Sequence, residues 1–371
     1  MKRAIVSVTN DLSTDQRVDK VCKTLQKCGF EVILVGRQKK DSQKLVNRSY
    51  STNRLQLLFE KDAIFYAEFN IRLFFYLLFN KSDLLIANDL DTLLPNFLAS
   101  KLKRIPLVYD SHEYFCGVPE LENNHLAHKV WLTIEKWIFP HLKHVFTVNN
   151  SIANLYKKQY NVDVKVVRNI PLKREKIITK TKKELGLPDN KRIILLQGAW
   201  INVDRGAEEL IDAMQWINNA LLLIIGGGDV IGNLKMQAVK LNLNNEILFI
   251  PKLPFDELFN FTIHADLGLT LDKDTNINYR FSLPNKLFDY INAGVPVLSS
   301  NLIEIRNIIE TYYIGEILQN HQPKDIAQHI NKMLADELKM LEYKKNTHIA
   351  ANELCWENEE KELIEVYKQY L

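Results

Sequence analysis

The chain has 371 residues, of which 46% are hydrophobic and 25% charged, a composition typical of a soluble globular protein. Because one hydrophobic core stops growing at roughly 250–300 residues, two domains are expected. The four cysteines lack the C-x-x-C spacing of metal or redox sites, and we predict that all four are free thiols in a reducing compartment.

The net charge of +3 is unevenly distributed along the chain. Residues 1–170 hold 25 basic and 17 acidic residues, whereas residues 171–371 hold 23 and 28. A basic first half is compatible with nucleic acid, an anionic membrane surface or an acidic substrate. No arginine-rich run or interleaving of aromatic with basic residues supports nucleic acid. The apolar run Ala4–Val8 is too short for a signal peptide.

Short apolar runs alternate with amphipathic stretches from end to end, which is typical of parallel sheets covered by helices on both faces. The predicted strands are Ala4–Val8, Glu31–Val35, Leu84–Ala87, Leu107–Tyr109, His144–Val148, Ile193–Gln197, Ala220–Ile225, Ile247–Ile250, Leu267–Leu271 and Val295–Ser299. This pattern predicts an α/β protein with doubly wound sheets, in which ligands bind beyond the carboxyl ends of the strands.

The first loop after a strand, Asn10–Arg17, carries Asp11 and leads into a predicted helix. The segment Ile64–Phe79 is a second predicted helix, apolar nearly all round except for Glu68 and Arg72 at i, i+4 spacing. Such a helix is usually buried in a core. The alternative is an aromatic surface that rests on an anionic leaflet, aided by basic residues such as Lys39, Lys40, Lys101, Lys103 and Arg104.

Two further polar clusters follow strands in the first half: Asn88–Asp91, with Asp89 and Asp91, and Asp110–Glu113, with His112. Together with the first loop they should converge on one rim of the sheet. His112 could bind or orient a sugar, or take part in proton transfer. Alternatively, it is a polar residue at a helix start, held by Asp110.

The alternation pauses at the lysine-rich segment 173–191, which is the predicted linker. We therefore expect an N-terminal domain over residues 1–172 and a C-terminal domain over 192–352. A charged amphipathic helix over 353–371 could pack back on the N-terminal domain.

The second half contains two glycine-bearing loops after predicted strands. In residues 198–206, Gly198 lets the backbone approach a ligand closely. Arg205 can bind a diphosphate through paired hydrogen bonds from its planar guanidinium. In Gly226–Gly228 the glycines suit close packing against a base or phosphate, or form an ordinary turn. The triplet is not the G-x-G-x-x-G of a dinucleotide site.

The segment Tyr279–Val297 contains a predicted helix that Ser282 caps and Gly294 ends. Its N-terminus should present backbone N–H groups to a phosphate. Lys286 and Asp289 share a helix face, where a cation near phosphate and a carboxylate that accepts ribose hydroxyls form a sensible pair. The alternative is an ordinary capped helix with a surface Lys–Asp pair.

Taken in order, these segments resemble family 4 of the retaining glycosyltransferases over nearly the whole chain. The resemblance implies the GT-B fold, two Rossmann-like domains that face each other across a cleft. It also implies sugar transfer from a nucleotide-sugar to a glycan or lipid-linked acceptor, and the Ser-Leu-Pro-Asn-Lys motif is similar to members that build bacterial surface polysaccharides. On this basis we expect a cytoplasmic enzyme, which would contact the inner face of the membrane if Ile64–Phe79 is a surface and not a core helix.

The resemblance also implies roles for particular residues. Catalysis is expected from His112, Arg205 and Lys286, and the acceptor side is expected to contain Asp11, Asp89, Asp91 and Glu113. Donor binding is expected from Gly198, Arg205, Gly227, Leu283, Asn285, Lys286 and Asp289. The protein cations are expected to replace a divalent metal, so no cofactor is predicted.

This chain differs from the family at two positions. Phe281 occupies a position that is acidic in the family, and Asp272 or Asp274 could substitute for that acidic residue. Ala199 occupies a position that is basic in the family. These departures leave two alternatives open. One is a nucleotide-sugar epimerase or hydrolase on the same scaffold, and the other is a non-catalytic nucleotide-sugar-binding protein.

Overall fold

A computed structural model describes residues 1–13, 15–122, 124–173 and 179–371. The chain forms two compact units, Met1–Asn169 with Glu359–Leu371, and Ile170–Asn358. Two parts of the sequence predictions, Thr14 in the first polar loop and residues 174–178 of the linker, lie outside the described residues.

The first unit is built on a seven-stranded parallel sheet with strand order β3-β2-β1-β4-β5-β6-β7. The order reverses between β1 and β4, which marks the switch point where doubly wound sheets bind ligands. The strands are β1 Arg3–Ser7, β2 Glu31–Gln38, β3 Ser51–Gln56, β4 Leu84–Asn88, β5 Leu107–Ser111, β6 His144–Thr147 and β7 Val164–Val166. The helices are α1 Gln16–Lys27, α2 Asp62–Phe79, α3 Leu90–Lys103, α4 Pro119–Glu122, α5 His125–Ile138 and α6 Asn150–Tyr160.

The second unit is built on a six-stranded parallel sheet with strand order β10-β9-β8-β11-β12-β13. Its strands are β8 Arg192–Gly198, β9 Ala220–Gly226, β10 Ile247–Ile250, β11 Leu267–Thr270, β12 Val297–Ser300 and β13 Gly315–Leu318. Its helices are α7 Ala207–Ala213, α8 Ile231–Lys240, α9 Phe255–Thr262, α10 Ile277–Arg280, α11 Asn285–Ala293, α12 Ile303–Tyr312, α13 Pro323–Ala335 and α14 Glu337–Glu353. Helix α15, Trp356–Tyr367, belongs to the first unit from Glu359 onward.

Both faces of the second sheet are covered, as shown by the alternation of residues along β8. Ile194 and Leu196 belong to one hydrophobic cluster, and Ile193 and Leu195 belong to another. A strand buried on both faces needs apolar side chains at successive positions, which is the pattern seen in the sequence. The prediction of two doubly wound α/β sheets is confirmed.

Three strands were missed by the sequence prediction, and each lies at the edge of a sheet: β3, β7 and β13. An edge strand is covered less completely than a central one, so it does not need a continuous apolar run. The residues of β3, Ser51–Gln56, are half-buried or exposed and mostly polar.

Ion pairs join the C-terminal segment of the chain to the rest of the first unit. The guanidinium of Arg168 lies 2.6 Å from the Glu359 carboxylate, and Lys27 Nζ lies 2.8 Å from that of Glu360. The four cysteines are buried free thiols, as predicted.

Candidate functional site

The two glycine loops of the second unit pack directly on each other. Ile201 N donates a 2.6 Å hydrogen bond to the carbonyl oxygen of Gly227. A Cβ on Gly226 would lie 1.8 Å from the Gly198 oxygen, and one on Gly228 would lie 2.1 Å from the Ile201 oxygen. Both glycines have positive φ, 147° and 142°, which side chains disfavour. The loop-to-loop packing therefore explains these two glycines without a ligand.

Gly227 differs from its two neighbours. A Cβ built there would meet nothing closer than the Ala199 oxygen at 3.7 Å, an ordinary contact distance. Gly227 is thus the member of the triplet that close packing of the protein does not require.

A buried carboxylate joins the two predicted phosphate-binding cations. Asp272 follows β11 and is completely buried. Its Oδ1 lies 2.9 Å from Arg205 Nη1, and its Oδ2 lies 3.3 Å from Lys286 Nζ. Burial would raise the pKa of Asp272, but Lys286 and Arg205 together hold the pKa below its usual value. The carboxylate therefore remains ionised between two cations.

Arg205 and Lys286 remain partly accessible, whereas Asp272 does not. Their side chains are 25% and 12% exposed, respectively. The Arg205 guanidinium also lies over the ring of Tyr279, 4.3 Å from its centroid, which limits its orientation. Two cations 81 residues apart in the sequence, Arg205 in a loop and Lys286 in the first turn of α11, thus meet at one carboxylate.

The N-cap of helix α11 lies two residues after the predicted cap. It is Pro284, which makes no capping hydrogen bond through its side chain. The prediction that Ser282 caps the helix is wrong: its Oγ is buried and has no hydrogen-bond partner among the described residues. Asn285 is exposed at the first turn, Leu283 is half-buried against the core, and Gly294 ends the helix with φ 77° as predicted.

Lys286 and Asp289 contact different partners, although they share a face of α11. Lys286 approaches Asp272, whereas Asp289 accepts a 3.0 Å hydrogen bond from Gln197 Nε2. Gln197 in turn accepts a 2.8 Å hydrogen bond from Thr262. The sequence analysis missed Gln197 because it lies at the end of an otherwise apolar strand. A glutamine in a strand that is expected to be buried was the signal that could have identified it.

The polar clusters of the first unit meet around His112, which lies in the loop after β5. Its Nδ1 is 3.3 Å from Asp89 and its Nε2 is 3.5 Å from Asp110. Asp89 also accepts a 2.7 Å hydrogen bond from the His112 backbone N–H. No helix begins at His112, because the next helical turn starts at Phe115, although the contact with Asp110 exists.

The electrostatics of this cluster favour a charged imidazole. Burial would lower the pKa of His112, but Asp89 and Asp110 raise it to about 9. Asp110 is itself paired with the buried Arg17 at 2.6 Å, which keeps this carboxylate ionised. At neutral pH the imidazole is consequently protonated and donates hydrogen bonds rather than accepting protons.

The remaining predicted acceptor-side residues lie at different depths. Asp91 is buried and accepts a 2.5 Å hydrogen bond from Thr9, and burial with the charge of Asp89 raises its pKa to about 7. Glu113 is exposed beside His112. Asp11 accepts hydrogen bonds from Ser13 in its own loop and from Ser42 in the segment after β2. The structure thus brings Asp89, Asp91 and His112 together, while Asp11 holds its loop and the segment after β2 in place.

Among the residues that the structure describes, no group of three or more histidine, cysteine, aspartate or glutamate side chains could hold a metal ion.

Two protein families match the chain, and together they cover most of it. The family described as Glycosyltransferase Family 4 matches residues 15–171, and Glycosyl transferases group 1 matches residues 177–350. No curated protein matches the chain at a significant level.

Several solved structures share the fold at low sequence identity. Sucrose-phosphate synthase from Thermosynechococcus elongatus is 16% identical with a TM-score of 0.80, over 100% of this chain and 99% of that protein. HepE of Anabaena in complex with UDP-glucose is 15% identical with a TM-score of 0.75, over 100% of both chains. WaaG, a glycosyltransferase involved in lipopolysaccharide biosynthesis, is 13% identical with a TM-score of 0.73, over 98% and 99%.

Proposed function

The chain belongs to the family 4-like GT-B glycosyltransferases, and we propose that it is a retaining enzyme that transfers a hexose from a nucleotide-sugar to a glycan or lipid-linked acceptor. The pathway we propose is the synthesis of a surface polysaccharide in the cytoplasm. The observation that carries the proposal is the meeting of Arg205 and Lys286 at Asp272, beyond the carboxyl ends of the second sheet.

The donor diphosphate is proposed to bind these two cations, here named the cation pair. When the glycosidic bond to the leaving nucleotide breaks, negative charge grows on the diphosphate. Preorganised cations stabilise that charge, and this is usually the largest catalytic effect of such a site. Lys286 would thereby supply the second positive charge that Ala199 lacks at the family's usual position.

The rest of the donor is proposed to lie along the adjacent loops. Asp289, oriented by Gln197, is the proposed acceptor of the ribose hydroxyls. Gly198 and Gly227 would allow close approach of the nucleotide to the backbone, beside the Leu283–Asn285 turn. HepE is a neighbour solved with UDP-glucose, so a UDP-sugar is the first donor to test.

Asp272 and Asp274 were possible substitutes for the acidic position now occupied by Phe281. Asp272 is buried behind the cations, and Asp274 pairs with Arg280 at 3.0 Å. Neither arrangement supports a contact with the donor sugar. We propose instead that the transferred sugar is oriented by His112 and its neighbours, with the imidazolium as a hydrogen-bond donor.

No divalent metal is proposed to be required, because the cation pair supplies positive charge where metal-dependent enzymes place an ion. Loss of activity in EDTA that Mg²⁺ restores would contradict this part of the proposal.

The central experiment is transfer from UDP-sugars to candidate acceptors, with product stereochemistry read by NMR. Nucleotide release that depends on an acceptor, with retained anomeric configuration, supports the proposal. Donor turnover without an acceptor would favour an epimerase or hydrolase, and binding without turnover would favour a non-catalytic binding protein. GDP-, ADP- and dTDP-sugars tested in the same thermal-shift series identify the base, since a ligand stabilises the native state by mass action.

A peripheral contact with an anionic membrane is a second part of the proposal, supported by the surface of α2. One face of this helix is core, with Phe65, Phe69, Leu73 and Leu77 buried. The other face is exposed and carries four large apolar side chains beside the ion pair of Glu68 and Arg72: Ile64 is 58%, Ile71 58%, Phe75 50% and Phe79 78% accessible. The expectation of a helix buried all round therefore holds for one face only.

Only some of the basic residues that were expected to aid membrane contact are free to do so. Lys101 and Arg104 at the end of α3 are exposed, as an electrostatic contact requires. Lys103 is not available for lipids, because its Nζ donates to the carbonyl oxygens of Leu77 and Asn80 at 2.9 and 2.6 Å. The structure describes no helix with the length and apolarity needed to cross a membrane.

A further inference from the structure

Asp272 occupies an unusual position for a carboxylate in a site that is proposed to bind an anion. It lies at the carboxyl end of β11, is completely buried and receives a 3.3 Å hydrogen bond from Thr270 Oγ1. Its two oxygens are divided between Arg205 and Lys286. The three groups therefore carry a net charge of +1, whereas the cation pair alone would carry +2.

Neither cation is saturated by this contact. A guanidinium has five N–H donors and an ammonium has three, and Asp272 takes one contact from each. Since both cations are partly accessible and Asp272 is not, an anion that arrives from solvent meets the cations with the carboxylate behind them. The anion then shares both cations with a fixed negative charge.

Because Asp272 shares both cations with the ligand, it lowers their affinity for an anion. Without a ligand, Asp272 compensates two largely buried cations, which would otherwise be costly to desolvate. With a ligand, the same carboxylate repels the incoming negative charge across a distance of a few ångströms in a medium of reduced dielectric. Both effects make anion binding weaker than it would be if residue 272 were neutral.

We propose that Asp272 lowers the affinity of the cation pair for the nucleoside diphosphate product. The same carboxylate holds Arg205 and Lys286 in place. Asp272 acts through the two cations and is therefore a positioning residue. A pair with a charge of +2 would retain the product, and product release limits turnover in many enzymes. The inference rests on the proposed donor site.

The test compares the full-length wild type with Asp272→Asn, using calorimetric titration with UDP and with inorganic pyrophosphate, which carries no base or sugar. The variant should bind both probes roughly tenfold more tightly at low salt, or about 1.4 kcal/mol. The gain should shrink as salt rises, because the site is partly exposed. With a donor and acceptor, kcat and the donor KM should both fall.

The matched control is Asp274→Asn, which removes the same charge two residues away from a surface pair with Arg280. It should bind both probes as the wild type does. Asp272→Ser gives a second neutral side chain, and pyrophosphate should raise the Tm of either Asp272 variant more than that of the wild type.

Unchanged or weaker binding of pyrophosphate by the neutral variants would overturn the inference. A lower Tm with unchanged affinity would show that Asp272 is only structural. Wild-type binding without a gain in the variants would overturn this inference and leave the donor site standing. Absence of pyrophosphate binding by every protein would overturn both proposals.

Discussion

Replacement of Arg205 by alanine tests the donor site most directly. The change removes one of two cations and takes the net charge of Arg205, Lys286 and Asp272 from +1 to zero. Hydrogen bonds to charged groups contribute about 1.5–3 kcal/mol each. One guanidinium contact is already made to Asp272, and we count the loss of one further hydrogen bond, to the diphosphate. We therefore expect kcat/KM to fall by roughly 10- to 100-fold.

The fold should tolerate this change, which separates a catalytic effect from unfolding. Asp272 keeps its contact with Lys286, and Arg205 is a quarter exposed, so the truncated side chain leaves a space open to water. Arg205→Lys retains the charge but loses the planar fork and the stacking on Tyr279, so its activity should lie between those of the wild type and the alanine variant.

Steady-state transfer from a UDP-sugar, together with UDP affinity by calorimetry, provides the assay. Arg280→Ala is the matched control, because Arg280 lies nearby on the surface and pairs only with the exposed Asp274 among the contacts seen. If the two alanine variants had equal kcat/KM and equal UDP affinity, the placement of the diphosphate at Arg205 would be refuted.

Three further predictions concern the first unit. His112→Ala should lower turnover more than donor affinity. The stabilisation from its charge contacts is complete below about pH 6.5 and is lost as pH rises through about 9. The Tm difference from the wild type should therefore vanish at alkaline pH. Asp91 has a raised pKa of about 7, so the native state is penalised as pH rises from 4 to 7, and Asp91→Asn should gain Tm relative to the wild type over that range. The double variant Phe75→Ser, Phe79→Ser should lose salt-sensitive co-sedimentation with anionic liposomes but keep its Tm, because both rings are exposed. If the wild type does not bind anionic liposomes at low salt, α2 has no membrane role.

The sequence alone determined the α/β class and the central strands of both sheets, but not the edge strands β3, β7 and β13. Strands that are buried on both faces require uninterrupted apolar runs, and such runs followed by helix-length segments specify parallel βα units. The loop that contains Gly198 and Arg205 was identified for the same reason, since it follows a strand whose carboxyl end forms the ligand-binding edge. Lys286 was identified because it lies at the start of a predicted helix. These features depend on periodicity and on residues close together in the chain.

Only the tertiary structure decided which charges compensate each other and which apolar faces remain uncovered. Arg205 and Asp272 are 67 residues apart, and their contact requires β8 and β11 to be neighbours in the sheet. The exposed face of α2 and the engaged Lys103 likewise depend on how α2 and α3 pack. Burial and charge compensation are properties of the folded environment, set by residues from distant parts of the chain, and periodicity along the sequence does not encode them.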